Sequence, residues 1–166
     1  MTENQNPVFN QDDMPYISVL PDNSYEIYLP APLKQIIKEQ IELLTNELNT
    51  EGELHPNLVR LNPPASFNDI EKAIEFSSLY NFSIRNSHLM NLKSLSELDN
   101  KAYINTDELV SIAKALNALR LYFGAELGID NETDNNLLLS SSGTYYLYLL
   151  FGYLLEEIIS ILSGQY

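Results

Sequence analysis

The chain has 166 residues, 45% of them hydrophobic, no cysteine, and nine Lys+Arg against 23 Asp+Glu, a formal net charge of −14. Length and apolar content suit one globular domain, and the lack of cysteine excludes a disulfide framework, a thiolate metal site and a cysteine-based redox switch. Phosphate backbones are bound by clustered Lys and Arg, so direct nucleic-acid binding is not expected of this chain, whereas basic protein partners are favoured.

Residues 1–14 are polar and aperiodic and read as a disordered tail ahead of a single helical domain over residues 15–166. They have neither the basic start nor the apolar run of a signal peptide, so a cytoplasmic location is expected. Next, Tyr16–Leu20 and Tyr25–Leu29 flank Pro21-Asp22-Asn23-Ser24. Two β-rich runs around a turn cluster predict a hairpin, with Ile17 and Val19 on one face of the first strand and Tyr25, Ile27 and Leu29 on one face of the second. A lone hairpin is marginal in water, so it must lean on helices.

Pro30-Ala31-Pro32 opens a helix, since proline is tolerated in a first turn. Leu33, Ile36, Ile37, Ile41, Leu44 and Leu48 then recur at helical spacing. Residues 49–66 read as a loop ending in Arg60-Leu61-Asn62-Pro63-Pro64, where the double proline excludes helix. Ser66 or Asn68 caps a short helix from Asp69 to about Tyr80, burying Ile70, Ala73, Ile74 and Phe76. A further helix covers about Phe82 to Leu98, with Leu89, Leu92, Leu95 and Leu98 at three-residue steps. Asn105 followed by Glu108 is a capping-box pattern and starts a helix that runs to Leu127. Gly128 then stands where a left-handed residue belongs, with Ile129 as the apolar contact beyond it.

After a loop over residues 130–143, the last segment, Thr144 to Leu162, is apolar on nearly every face. A surface helix carries one apolar stripe of about 100°. So uniform a helix is expected at the centre of the fold, or covered by another copy of the chain or another subunit. A membrane span is not expected, because the uncharged run Tyr145–Leu155 is interrupted by Glu156-Glu157 and a span needs about 20 apolar residues. The fold class expected is mainly α, a compact bundle of about five helices with a short N-terminal β-hairpin.

Catalytic signals are weak. Asp130–Asn136 places oxygens at alternate positions as a calcium loop does, but lacks the turn glycine and the distal bidentate Glu, so it reads as a solvated acidic loop. His55 and His88 lie far apart, and Glu71 and Glu75 have no water-activating partner nearby, so neither pair predicts a site. No glycine-rich phosphate loop or GxSxG turn is present. Neither a cofactor nor a metal is expected. Arg120, with Asn117 one turn earlier, flanks the apolar face formed by Leu116, Leu119 and Phe123. An arginine so placed needs a carboxylate or carbonyls around its guanidinium, which predicts a buried ion pair fixing helix packing, or else an anion-binding contact on a partner surface.

Arg60-Leu61-Asn62-Pro63-Pro64, then Asn117-Ala118-Leu119-Arg120-Leu121, Gly124 and Leu127-Gly128-Ile129 carry a resemblance. Over about residues 16–162 the chain resembles a family of small actinobacterial proteins, long catalogued as a domain of unknown function and now named for AosR, an oxidative-stress transcriptional regulator. The resemblance implies a non-enzymatic, transcription-associated role through a protein partner such as a sigma factor. Family members are often encoded beside the Clp protease adaptor, which makes a Clp-associated adaptor the alternative. A small enzyme using Arg120 and carboxylates is the alternative from another class. Arg60, Asn117 and Arg120 match the family pattern as structural or contact positions, and the family supplies no catalytic residue. The named regulator senses oxidants through cysteines, and this chain has none.

Overall fold

The structure, a computed structural model, describes residues 14–50, 56–61, 70–129 and 142–164. The described part is mainly helical. A hairpin of β1 (Tyr16–Val19) and β2 (Tyr25–Tyr28) precedes helices α1 (Ala31–Asn49), α2 (Ile70–Ser96), α3 (Thr106–Glu126) and α4 (Gly143–Leu162). Two 3₁₀ segments, Pro56–Leu61 and Leu98–Asn100, flank α2.

The hairpin forms as its sequence predicts. Ile17 faces Ile27 and Val19 faces Tyr25 across antiparallel strands. Its turn closes through a Leu20 N–H bond to the Ser24 carbonyl, with Asn23 in the left-handed region at φ 61°. The Asp22 carboxylate accepts from both the Ser24 hydroxyl and the Ser24 N–H, and these bonds hold its pKa below the usual range. Tyr25 and Leu29 are buried and Ile17 and Ile27 half-buried, while Val19 at the strand end is exposed. The support the hairpin needs comes from Tyr25, whose N–H and C=O both pair with Ile104 at 2.9 and 2.8 Å. This bridge ties the sheet to the chain entering α3.

Helix α1 buries Ile37, Ile41, Leu44 and Leu48 along one stripe, with Leu33 partly covered. Ile36, placed on that stripe by spacing alone, turns to solvent. The helices expected at 69–80 and 82–98 are one continuous helix, α2, so the described α-helices number four and not five. Tyr80-Asn81-Phe82 contains neither Gly nor Pro, so nothing there breaks the i→i−4 ladder. The region read as a loop over 49–66 holds a 3₁₀ segment whose Leu58 and Leu61 are buried.

Helix α3 is the centre of the fold. Leu109, Ile112, Leu116, Leu119, Tyr122 and Phe123 are all buried, and α1, α2, the Pro56–Leu61 segment and α4 pack around it. Ala113, Ala115 and Ala118 let those neighbours approach its backbone. The capping box is complete: the Glu108 N–H donates to Asn105 Oδ1, and the Asn105 N–H to Glu108 Oε2, each at 2.9 Å. Lys101 pairs with the same carboxylate. Its hydrogen bond, then that of the Asn105 backbone, holds the Glu108 pKa below its ordinary value, and Glu108 in turn raises that of Lys101. At the other end Ile129 N–H bonds to Gly124 C=O at 2.9 Å and Gly128 N–H to Ala125 C=O at 3.1 Å, with Gly128 at φ 68°. That is a Schellman termination, and Ile129 is buried as its apolar contact.

The expectation that α4 is central is overturned. Only Phe151, Leu154 and Ile158 are buried, forming one narrow stripe against α3, while Tyr146, Leu149, Tyr153, Ile159 and Leu162 are exposed. The small, evenly apolar faces of α3 take the middle of the bundle, and α4 covers one side of it. By length and composition α4 alone among the described helices is apolar enough to cross a membrane, and its inner stripe is packed on α3.

Several sequence expectations fall outside the described residues. They are the tail up to residue 13, His55, Pro63-Pro64, the caps Ser66 and Asn68, the acidic loop Asp130–Asn136, and the side chains of Ile70, Ala73, Ile74, Glu75 and Phe76.

Candidate functional site

Two glycines set the geometry where α3 meets α4. A Cβ at Gly124 would stand 3.2 Å from Arg60 Nη1 and 3.2 Å from Tyr148 Cε2. The Pro56–Leu61 segment and α4 therefore both close onto the bare α3 backbone there. A Cβ at Gly152 would stand 3.5 Å from Arg120 Nε, so α4 in turn presents bare backbone to the α3 arginine. Between them is Tyr148. The Arg120 Cζ lies 5.2 Å from its ring centroid, and Nη2 donates to its hydroxyl at 3.3 Å. Tyr145 stacks on Tyr148 with ring centroids 6.5 Å apart.

The sequence-predicted residues thus divide. Arg120 lies on Tyr148, while Arg60 and Tyr148 both close onto Gly124. Asn117 is half-buried on α3, one turn before Arg120. Arg120 is also half-buried, and its guanidinium meets the ring and hydroxyl of Tyr148. Tyr148, Gly124 and Gly152 complete the arrangement. Gly152 and Tyr148 went unread as site residues because a glycine and a tyrosine four apart in an apolar helix look like ordinary core.

Beside this cluster runs an open groove of about 510 Å³ between α3 and α4, bordered by Arg120, Ile129, Leu149, Tyr153, Glu156 and Ile159. Its α4 wall is apolar yet exposed: Leu149 is 46% and Ile159 54% accessible. A second groove, between α1 and the end of α2, has the Lys34–Asp99 ion pair at 2.8 Å on its rim. Nothing in either resembles a catalytic pair of titratable groups. Burial pushes the Tyr122 pKa up, a hydrogen bond with Asn57 opposes this, and Glu47 and Glu126 add to the rise. That contact staples the Pro56–Leu61 segment to α3.

His88 behaves as a structural residue. Its Nε2 lies 3.2 Å from the Leu61 carbonyl, so Nε2 carries the proton and donates; Nδ1 is buried with no partner among the described residues. Among the described residues no group of three or more His, Asp or Glu side chains is arranged to hold a metal ion.

Among the described residues, four helices and a hairpin carry a cation–aromatic contact beside an open groove. Residues 30–162 match the family model described as "Domain of unknown function (DUF2017)", and the chain belongs to that family. No curated protein and no solved structure is significantly similar to it.

Proposed function

We propose that this protein is a non-enzymatic regulatory protein that works by binding another protein through the exposed side of α4. The observation that carries this reading is the two-sidedness of α4: one stripe packs on α3, while Tyr146, Leu149, Tyr153 and Ile159 stay accessible. Apolar side chains grouped on one exposed face mark interaction sites more often than they mark anything else. The seam of Arg60, Tyr148 and Arg120 then has a structural task. It holds α4 at a fixed angle on α3, so that the outer face is presented rigidly.

The resemblance to the AosR-type regulators gives this partner a class. It is a transcription component such as a sigma factor, engaged in the cytoplasm, with the nucleic acid contacted by the partner and not by this acidic chain. Without cysteine, regulation here operates by occupancy of the surface and not by thiol oxidation. The test is direct binding between the purified chain and purified sigma factors and Clp components of its own host. Saturable binding to a transcription component supports the reading. Binding to Clp components alone would make the protein a proteolytic adaptor, and turnover of a small molecule with no protein bound would end the binding reading.

A further inference from the structure

We infer that the α3–α4 groove takes an amphipathic helix whose flank is basic. This rests on the reading of the outer α4 face as the partner surface and specifies the chemistry of the occupant. The groove wall offers Leu149 and Tyr153 one helical turn apart, with Ile159 further along the same wall, so the apolar face of a second helix can lie along it, while Gly152 between Leu149 and Tyr153 is covered by the Arg120 side chain. Glu156 lies in the same row and Glu157 beside it, both exposed.

Charge decides between occupants. From residue 121 to 166 the chain has no Lys, Arg or His, and carries Glu126, Asp130, Glu132, Asp134, Glu156 and Glu157. Among the residues that border the groove, Arg120 is the basic one, and its guanidinium is engaged on Tyr148. A second copy laid on this face would set carboxylates against carboxylates around an apolar seam. An anionic membrane surface meets the same repulsion. A helix with Lys or Arg beside its apolar row instead buries the groove wall and neutralises Glu156 and Glu157 together, which gives attraction at a distance and fit at contact.

The experiment uses the full chain and synthetic amphipathic peptides of about 18 residues, one built of Leu and Lys and one of Leu and Glu, with binding read by fluorescence anisotropy in about 0.15 M salt. The Leu/Lys peptide is expected to bind at least about tenfold more tightly than the Leu/Glu peptide. Leu149→Asp is expected to abolish its binding, and the pair Glu156→Lys with Glu157→Lys to weaken it by about tenfold or more. The pair Glu39→Lys with Glu42→Lys, on α1, changes the overall charge equally and is expected to leave affinity within about twofold. Equal loss in the α1 pair would reduce the effect to bulk charge, and retained binding in Leu149→Asp would place the peptide elsewhere; either overturns the inference. So would a dimer in sedimentation that Leu149→Asp dissolves, or flotation with anionic vesicles. If the peptide fails while Leu149→Asp still releases a native protein partner, the basic-helix chemistry falls and the proposed function stands.

Discussion

The guanidinium of Arg120 lies 5.2 Å from the ring centroid of Tyr148 and donates to its hydroxyl, joining α3 to α4. A cation on an aromatic face contributes about 0.5–2 kcal/mol, less than a buried ion pair whose charge is stranded by mutation. The contact with Tyr148 and the stem packing over Gly152 are together expected to contribute about 1–2 kcal/mol of what Arg120→Ala loses. Chemical denaturation of Arg120→Ala, Tyr148→Leu and the double variant gives the coupling. A sum of single losses with no coupling would show that the two side chains are neighbours without interaction.

Gly124 is expected to tolerate Ala and reject Val. Ala recovers about 1 kcal/mol of helix propensity, which offsets the few tenths of an ångström by which Arg60 and Tyr148 must yield. Val overfills the site and is expected to cost about 1–3 kcal/mol. Gly128→Ala has ample room but must hold φ 68°, so a loss of about 1–2 kcal/mol is expected there from backbone strain alone. Thermal melts of the three variants separate crowding from strain.

The cap of α3 gives a pH signature. Asn105→Ala removes one arm of the capping box and is expected to cost about 0.5–2 kcal/mol. Glu108 has a folded pKa below its unfolded value, so its stabilisation is fully present above about pH 4.3 and is lost as pH falls through the folded value. Lys101 has a raised folded pKa, so its share is present below about pH 10.4 and fades as pH rises through the folded value. Denaturant midpoints across acid pH for wild type and Glu108→Gln check this: the variant should lose the acid-side slope that Glu108 contributes.

Much of the fold was legible because its signals are local. The capping box at Asn105–Glu108, the left-handed Gly128 with Ile129 beyond it, the α1 stripe and the Tyr25–Leu29 strand each lie within a few residues of chain. Of the site, Arg60 and Arg120 were singled out, but not what joins them. That joining depends on Tyr148 and two glycines brought together across the bundle, and no spacing in the sequence encodes it. The α4 error has a physical source as well. Hydropathy measures how readily a segment leaves water, not which neighbour covers it, and Leu149 and Ile159 look the same in sequence as Leu154 and Ile158. The join at Tyr80-Asn81-Phe82 was misread for the opposite reason: polar residues inside a helix do not end it without a Gly, a Pro or a cap.

The two sides of α4 should respond differently to truncation. Leu154→Ala, at 3% exposure, is expected to cost about 2–5 kcal/mol. Leu149→Ala and Ile159→Ala truncate side chains that are about half accessible and are expected to cost less than about 1 kcal/mol. Similar losses on both sides would mean that α4 is enclosed.

The most direct measurement is made on Leu149→Asp, with melting temperature and affinity for the protein partner determined on the same preparation. A charge on an exposed face should leave the fold intact, so an unchanged melting temperature with partner binding lost is the expected result. A large fall in melting temperature would put Leu149 in the core, and full binding at unchanged stability would place the partner surface away from α4.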